Sequence, residues 1–428
     1  MAVGALTTGK VAEVMFEETL DTYEKQDSML KLTTFSEPDA ASMQNSGNVI
    51  WKGVRQHAPI IDGWDISGEE TGIIKETYPC LLGTPKNDFV SQRADDMRDM
   101  QFWKERGMVS GMQQATELNK AISNAMVTQG SMFFRSNATS GYDFLGEAQA
   151  LMNERQGFKT MRNFVLNDRS NLKFAKDLAG RQTVQGRPEA VWESGQIGNN
   201  IAEFDVYTGS FLPNIAGGAT PDTTVTGDQS FKPEGGSVDQ TSGVVNNVDY
   251  RIATIPVVAS ASYNVGDKIT IDNGGTPIYA VGLSDKTNTG VAMTFTVVAK
   301  PSGTSLSIYP KPIAVDDSAL SAHEKAYANV DTTIADGAVV TRLNTAVSAK
   351  TNLFFDKDAI EVTGGTIPAQ LFSQFAGMKV LTQKLSNGLT MYMVYDGNIN
   401  DMSFRYRLFT WYGVTVRDPS RVGVAESF

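Results

Sequence analysis

Reactive side chains are scarce in this chain of 428 residues, which holds one cysteine, Cys80, and two histidines, His57 and His323. One thiol excludes an internal disulfide, and three such residues cannot complete a Cys/His zinc cluster without carboxylates. The sequence has no Gly-x-Ser-x-Gly elbow and no His-Glu-x-x-His pair, so neither a serine-hydrolase turn nor a zincin helix is encoded. No stretch approaches the roughly 18 consecutive apolar residues of a membrane helix. Met1 to Lys10 has no basic region followed by an apolar one, so no signal peptide is expected. These absences predict a soluble chain, folded in a reducing cytoplasm, with no membrane partner, no cofactor and no bound metal. Basic charge is also short: 37 Lys and Arg stand against 48 Asp and Glu, a formal net charge of −11. Uncompensated carboxylates repel phosphate, which disfavours a surface that grips duplex DNA. An enzyme is not expected.

What is present reads as an ordinary folded protein, 41% hydrophobic and 20% charged. At about 150 residues per unit the length suggests about three units, with cores that need no staple. Val11 to Asp27 places Val11, Val14, Met15, Leu20 and Tyr23 at helical spacing among six acids. The acids form either a solvated face or a docking arm for a basic partner. Asn48 to Asn87 changes to short β-like runs around Gly63 and Gly68, a long hairpin that carries Trp51 and Trp64. So little local sequence cannot bury two tryptophans, so another domain or another subunit must cover them.

A long helix is expected over Arg93–Gln129, with Gly107 and Gly111 as weak spots. Its core stripe is Met97, Met108, Met112, Ala115, Leu118, Ile122, Ala125 and Met126. Such a spine exceeds about 45 Å, longer than a compact domain requires. Shorter helices are expected at Tyr142–Gln156, at Ser170–Leu178 behind an Asn167/Asp168 cap, and at Pro188–Ser194. From Asp222 to Asn344 the composition shifts: only Met293 of 17 methionines and none of five tryptophans lies there. Alternating runs at Arg251–Ser260, Lys268–Asp272, Ile278–Val281, Thr294–Val298 and Ser305–Tyr309 predict an inserted β-barrel or sandwich. Gly217-Gly218 and Ala346–Ala349 read as its linkers. Beyond it, Met378–Leu385 and Leu389–Tyr395 flank Asn387-Gly388, a hairpin with a two-residue I′ turn. The aromatic run Phe404 to Val416 is expected to complete a sheet begun before the insertion.

Several motifs tempt and fail. Gly4 to Lys10 has phosphate-loop spacing, but Val11 follows the lysine and no strand precedes it. Asp396 to Asn400 imitates a calcium loop, yet its sixth position is Asp401 and its twelfth Arg407, so an Asx-rich turn is expected. Cys80 lies among Tyr78, Pro79, Leu81 and Leu82, an apolar and inert setting. Asp95-Asp96 and Asp316-Asp317 read as solvated charge, and the Asn137-Ala138-Thr139 sequon means little without secretion.

A set of short blocks runs along the chain in fixed order. It starts with Ala41-Ser42-Met43-Gln44 before Ile50-Trp51, Gly63-Trp64-Asp65, and Asn87-Asp88-Phe89 running into Arg93-Ala94-Asp95-Asp96. It continues with Gln229-Ser230-Phe231-Lys232-Pro233, Pro310-Lys311-Pro312 and Ala326-Tyr327-Ala328-Asn329-Val330. Phe375-Ala376-Gly377-Met378-Lys379 and Trp411-Tyr412-Gly413-Val414 complete it. With these blocks, the order of parts resembles the tailed-phage major capsid fold of the Hong Kong type, and more specifically the podovirus coat proteins of the Lederbergvirus type. These blocks span nearly the whole chain, while 130–185 and 235–245 depart from the pattern.

The resemblance implies an α+β capsid fold with N-arm, E-loop hairpin, spine helix, peripheral and axial domains, and an inserted small antiparallel β-barrel. The corresponding divisions are 1–47, 48–87, 88–140, 141–221, 222–345 and 346–428. It further implies a structural protein that assembles with itself, as hexamers and pentamers, and with a scaffolding protein and a portal. The product is an icosahedral head in the virion, built in the host cytoplasm, with double-stranded DNA as loosely held cargo. Trp51, Trp64 and Asp65 then become candidate E-loop contacts to a neighbour. Glu13, Glu17 and Glu18 become a candidate scaffold dock, and Asp239, Asp249 and Arg251 a candidate intersubunit loop of the insertion, with rim charge pairs of about 0–1 kcal/mol each. The competing readings are a virion decoration or host-binding protein that uses the β insertion as its binding module, and a hydrolase using scattered acids. Exposed aromatics on the insertion would favour the decoration reading.

Overall fold

The computed structural model describes residues 8–45, 47–54, 57–61, 63–64, 67, 74, 76–93, 99–136, 141–155, 160–172, 196–219, 222–235, 249–260, 262–373, 378–398, 400 and 402–427. Two compact units emerge, one from residues 1–50, 80–122 and 361–415, the other from 51–79, 123–360 and 416–428. Pro188–Ser194, Asp95-Asp96 and the sequon lie outside the described residues.

In the first unit the arm helix Thr8–Gln26 buries Val11, Ala12, Met15, Phe16, Thr19 and Tyr23, the i, i+4 stripe its sequence encodes. The spine helix begins at Met100, not Arg93. Residues Lys86–Arg93 instead form the edge strand of an antiparallel four-stranded sheet, paired with Ser403–Thr410 and followed by Thr390–Asn398 and Lys379–Lys384. The spine seats Trp103 edge-on against Phe404 and Tyr406, at 6.1 Å each. Arg106 binds Asp88 at 2.6 Å and the Tyr406 hydroxyl at 3.0 Å. Ser110 donates to Asp88 at 2.5 Å, and Gln114 accepts from Thr410 at 3.0 Å.

Another face of the spine meets the arm. A Cβ on Gly107 would lie 2.6 Å from the Met15 carbonyl oxygen, and one on Gly111 2.5 Å from that of Thr19. The two glycines are therefore not weak spots but the place where two helix backbones touch. With two faces occupied, Met108 and Met112 are left 48% and 45% exposed, contrary to the expected core stripe. Farther along, Ala115, Leu118, Ile122 and Met126 are fully buried as expected.

The hairpin turn also differs from expectation. Leu385 pairs with Leu389, so the loop is Ser386-Asn387-Gly388, and only Gly388 has positive φ, at +96°. Asn387 donates to Asp27 at 2.7 Å, a tie that favours the three-residue loop with glycine at its left-handed position. The run 404–416 breaks at Trp411, whose indole donates to the Gly83 carbonyl at 2.7 Å while its own carbonyl accepts from Gly365. Ser403–Thr410 and Tyr412–Val416 consequently belong to different sheets.

Among its described residues the second unit holds two large sheets, besides the small ribbon of Tyr279–Val281 and Asn288–Ala292. One orders Met132–Ser136, Val422–Ser427, Ala349–Asp356, Arg162–Leu166, Phe204–Thr208 and Gln196–Ile201, with Asn214–Ile215 beside the third. The chain thus completes after residue 345 a sheet begun before residue 222. Helix Gly141–Glu154 covers it with Phe144, Leu145, Ala148 and Met152, and Phe164, Phe204 and Phe354 pack in the core. A helix opens at Asp168, where the Asn167 side chain accepts from the amides of Arg169 and Ser170.

The other sheet orders Asp222–Thr224, Val339–Arg342, Lys268–Asp272, Phe295–Ser302, Ser305–Tyr309 and Ala253–Pro256, every pair antiparallel. Its two end strands meet: Val225 bridges Val257, and Thr226 donates to Pro256 while Val258 donates to Thr224, each at 3.0 Å. The sheet is therefore a closed six-stranded barrel, filled by Ile255, Ile269, Ile271, Phe295, Val297, Leu306, Ile308 and Val340. Gly217-Gly218 is no free linker, since Gly217 donates to Thr345 and Gly218 to the Asp267 carboxylate.

Candidate functional site

No catalytic grouping assembles among the described residues. His57 stands edge-on to Tyr327 at 5.2 Å, Cys80 is buried with its thiol toward Glu361 at 3.7 Å, and His323 lies on the short helix Ala322–Lys325. Lys10 sits in the first turn of the arm helix. Asp396 is a strand residue paired with Arg405, and Asn398 accepts from the Asn400 amide in an Asx turn. No described helix is long and apolar enough to cross a membrane. What the chain offers instead is surfaces.

The arm presents its acids unequally. Glu13 and Glu17 are exposed on the face opposite the buried stripe, one turn apart. Glu18 is turned toward the spine, with Lys104 at 3.7 Å, so it is not part of the same open face. In the hairpin, Trp64 is fully exposed, and Asp65 lies outside the described residues. Trp51 is half-buried in strand Val49–Gly53, and its indole N–H, though buried, has no acceptor among the described residues.

The candidate insertion loop changes character. Asp239 is outside the described residues, but Asp249 and Arg251 form a buried clamp rather than a rim pair. Arg251, 8% exposed, meets both oxygens of Asp249, with Nε at 2.9 Å and a terminal nitrogen at 2.7 Å. Its other terminal nitrogen donates to the carbonyls of Val416 at 3.1 Å and Arg417 at 2.7 Å. The guanidinium also lies over the rings of Tyr78 and Tyr309. The carboxylate of Asp249 holds Arg251 charged despite burial. Sequence proximity identified the pair, but nothing local revealed that two distant carbonyls complete it.

A surface that sequence reasoning missed lies on the first unit. The outer face of the four-stranded sheet carries a groove of about 540 Å³, lined by Phe89, Ile367, Phe372, Met378 and Phe409 with Arg405 and Arg407 at hand. Tyr392 stacks on Phe409 at 5.0 Å, and Phe89 is 62% exposed. The available signal was the strand 403–410, which has large residues on both faces, Phe404 and Tyr406 inward and Phe409 outward. A two-sided apolar strand needs cover on both sides.

The family model described as P22 coat protein, gene protein 5, matches residues 4–426. The chain belongs to the P22 coat protein family. It is a major capsid protein, a structural subunit of the phage virion that assembles with copies of itself into the icosahedral head, and its fold is the tailed-phage capsid fold. Among solved structures the capsid protein is similar to the CUS-3 coat protein I-domain, at 38% identity over 30% of this chain and 100% of that one, with a TM-score of 0.23. It is also similar to the capsid structure of cyanophage P-SCSP1u, at 9% identity, 93% and 86% coverage and a TM-score of 0.44. A further similar structure comes from Mycobacterium phage Che8, at 11% identity, 90% and 86% coverage and a TM-score of 0.41. The decoration reading loses its footing on the capsid protein's own barrel: Tyr263, Phe295, Tyr309 and Tyr327 are buried, and Phe231, Tyr250 and Tyr279 are half-buried.

Proposed function

We propose that this capsid protein assembles in the host cytoplasm with a scaffolding protein and a portal, as hexamers and pentamers around double-stranded DNA. In this reading the hairpin of each copy lies on its neighbour, and Trp64 enters the neighbour's groove at Phe89, Ile367, Phe372 and Phe409. The observation that carries it is the pairing of a fully exposed tryptophan with an open apolar groove. Both are costly to leave in water: among the described residues Trp64 is fully exposed, and Phe89 at the groove stays 62% exposed. Asp65 would then approach Arg405 and Arg407, adding register and orientation. The divisions 1–47, 48–87, 88–140, 141–221, 222–345 and 346–428 belong to the same reading, with 222–345 as the insertion.

Modest contacts suffice, because closure of a shell makes each further contact intramolecular and lets misplaced subunits leave beforehand. The net charge of −11 suits a container that must release its phosphate-rich cargo. Glu13 and Glu17 form the open acidic face for basic scaffolding residues, with Glu18 supporting the arm from the Lys104 side. The test is co-expression with the scaffolding protein. Trp64→Ala should leave the subunit's stability within about 0.5 kcal/mol of the parent, since the side chain is exposed, yet abolish closed shells. Glu13→Lys with Glu17→Lys should block scaffold-dependent assembly only. Normal shells from Trp64→Ala would reject the hairpin contact, and normal shells from the charge reversal would reject the dock.

A further inference from the structure

Strands Val49–Gly53 and Thr77–Leu81 pair as the stem of the hairpin. In the second unit the stem residues Val54 and Glu76, the barrel and the C-terminal segment line a small cavity of about 110 Å³. Glu76 stands in its wall beside Arg251, Lys311 and Asp418. The Glu76 carbonyl accepts the Val54 N–H at 2.9 Å, which closes the stem. Its carboxylate, in contrast, makes no hydrogen bond or ion pair with any described residue. A half-buried carboxylate with cations near it and none in contact is costly when ionised.

The two cations differ in what they can offer. Arg251 is fully occupied by Asp249 and the carbonyls of Val416 and Arg417. Lys311 is loosely held: its ammonium reaches Glu234 only at 3.5 Å and the Lys232 carbonyl at 3.2 Å, and the Glu234 side chain is 43% exposed. Glu234 and Asp249 thus each hold one of the cations facing Glu76. Among the described residues the remaining charged neighbours are Asp249 and Asp418, which oppose ionisation of Glu76, and Arg417. Asp418 itself is kept ionised by Arg421 and Ser420, and His57 is kept toward its neutral form by burial and Lys286. The tyrosines of the joint, Tyr309 and Tyr327, are pushed upward by burial and stay neutral.

We propose that Glu76 is a proton-operated latch: on ionising it competes with Glu234 for Lys311, and so couples the hairpin stem to the chain at Lys232 and Glu234. Burial holds the Glu76 carboxyl up at about 7, against the pull of Lys311 and Arg251, which places the exchange near neutrality. Because the folded value lies above the ordinary 4.5, the closed stem retains a proton that an opened stem has lost between those two values. Closure is therefore strongest on the acid side, weakens as pH rises from 4.5, and levels off above about 7. The latch belongs to the single chain and does not depend on how copies assemble.

Hydrogen exchange of the unassembled full-length protein, read by mass spectrometry on the peptide containing Val54 and corrected for intrinsic rate, tests this. Protection should fall by up to about tenfold per pH unit across the window and then level off. Glu76→Gln should give a flat, protected profile through pH 8. Glu234→Gln, a change at a partly exposed residue, frees Lys311 for Glu76 and should bring the levelling point down by about one pH unit. An unchanged profile in Glu76→Gln would overturn the latch, and an unmoved levelling point in Glu234→Gln would overturn the competition for Lys311.

Discussion

Substituting alanine for Gly111 tests the helix crossing in the first unit against a simple alternative. By propensity alone, Gly→Ala inside a helix stabilises by about 0.5–1 kcal/mol. Here the new Cβ would fall 2.5 Å from the Thr19 carbonyl oxygen and 3.1 Å from the Thr22 Cβ. Relief needs the arm to retreat by roughly 0.8 Å, a gap that forfeits a quarter to a half of each contact along the seam. The buried arm residues Val11, Met15, Phe16 and Tyr23 share that loss, as does the hydrogen bond from the Thr19 hydroxyl to the Gly107 carbonyl. Overpacking of this kind costs about 1–3 kcal/mol, so the net effect is destabilising by about 1–2 kcal/mol. Gly146 is the control: it sits in helix Gly141–Glu154 with nothing within 4 Å of a Cβ. Urea unfolding of the unassembled subunit should therefore show opposite signs for Gly111→Ala and Gly146→Ala. The double change Gly107→Ala/Gly111→Ala should cost less than the two singles together, because one retreat clears both clashes. Equal stabilisation by Gly111→Ala and Gly146→Ala would refute the crossing.

Two further outcomes follow from buried charge. Asp249→Ala should cost about 3–5 kcal/mol in the same unfolding assay, since it strands the Arg251 guanidinium; a loss under about 1 kcal/mol would return the pair to the status of a surface bridge. Lys268 is fully buried and donates to the carbonyls of Val127 at 2.7 Å and Gly130 at 2.6 Å and to the Thr296 hydroxyl at 2.8 Å. Lys268→Met leaves the end of the spine helix without those donors and should cost about 3 kcal/mol or more, with faster exchange at 126–130. Burial pushes Lys268 down to about 7, so between there and its ordinary 10.5 the unfolded chain binds the extra proton. Its contribution to stability therefore rises with pH over that window, and Lys268→Met should remove the rise.

Legibility in the sequence followed the number of neighbours an element has. The arm helix and the C-terminal half of the spine bury one stripe each, so a period of 3.6 revealed them. The N-terminal half of the spine meets a sheet through Trp103, Arg106, Ser110 and Gln114 and a helix through Gly107 and Gly111. Two buried faces erase a single stripe, and Met108 and Met112 were misread as core. The barrel strands Lys268–Asp272 and Ser305–Tyr309 appeared at their observed bounds because alternation and turn residues agree there. Barrel closure by Val225 and Val257 had no local mark. The exposed Trp64 was foreseen as a residue in need of a partner. Its proposed groove was not, because Phe89, Ile367 with Phe372, and Phe409 come from three separate segments. Arg251 was found through Asp249, two residues away, but the carbonyls of Val416 and Arg417 that turn the pair into a clamp are distant in the chain.

Electron microscopy of the protein co-expressed with the scaffolding protein proposed as its partner tests the central claim most directly. Uniform closed shells with icosahedral symmetry are the expected result. A persistent monomer or small oligomer, from a subunit otherwise folded and soluble, would contradict it.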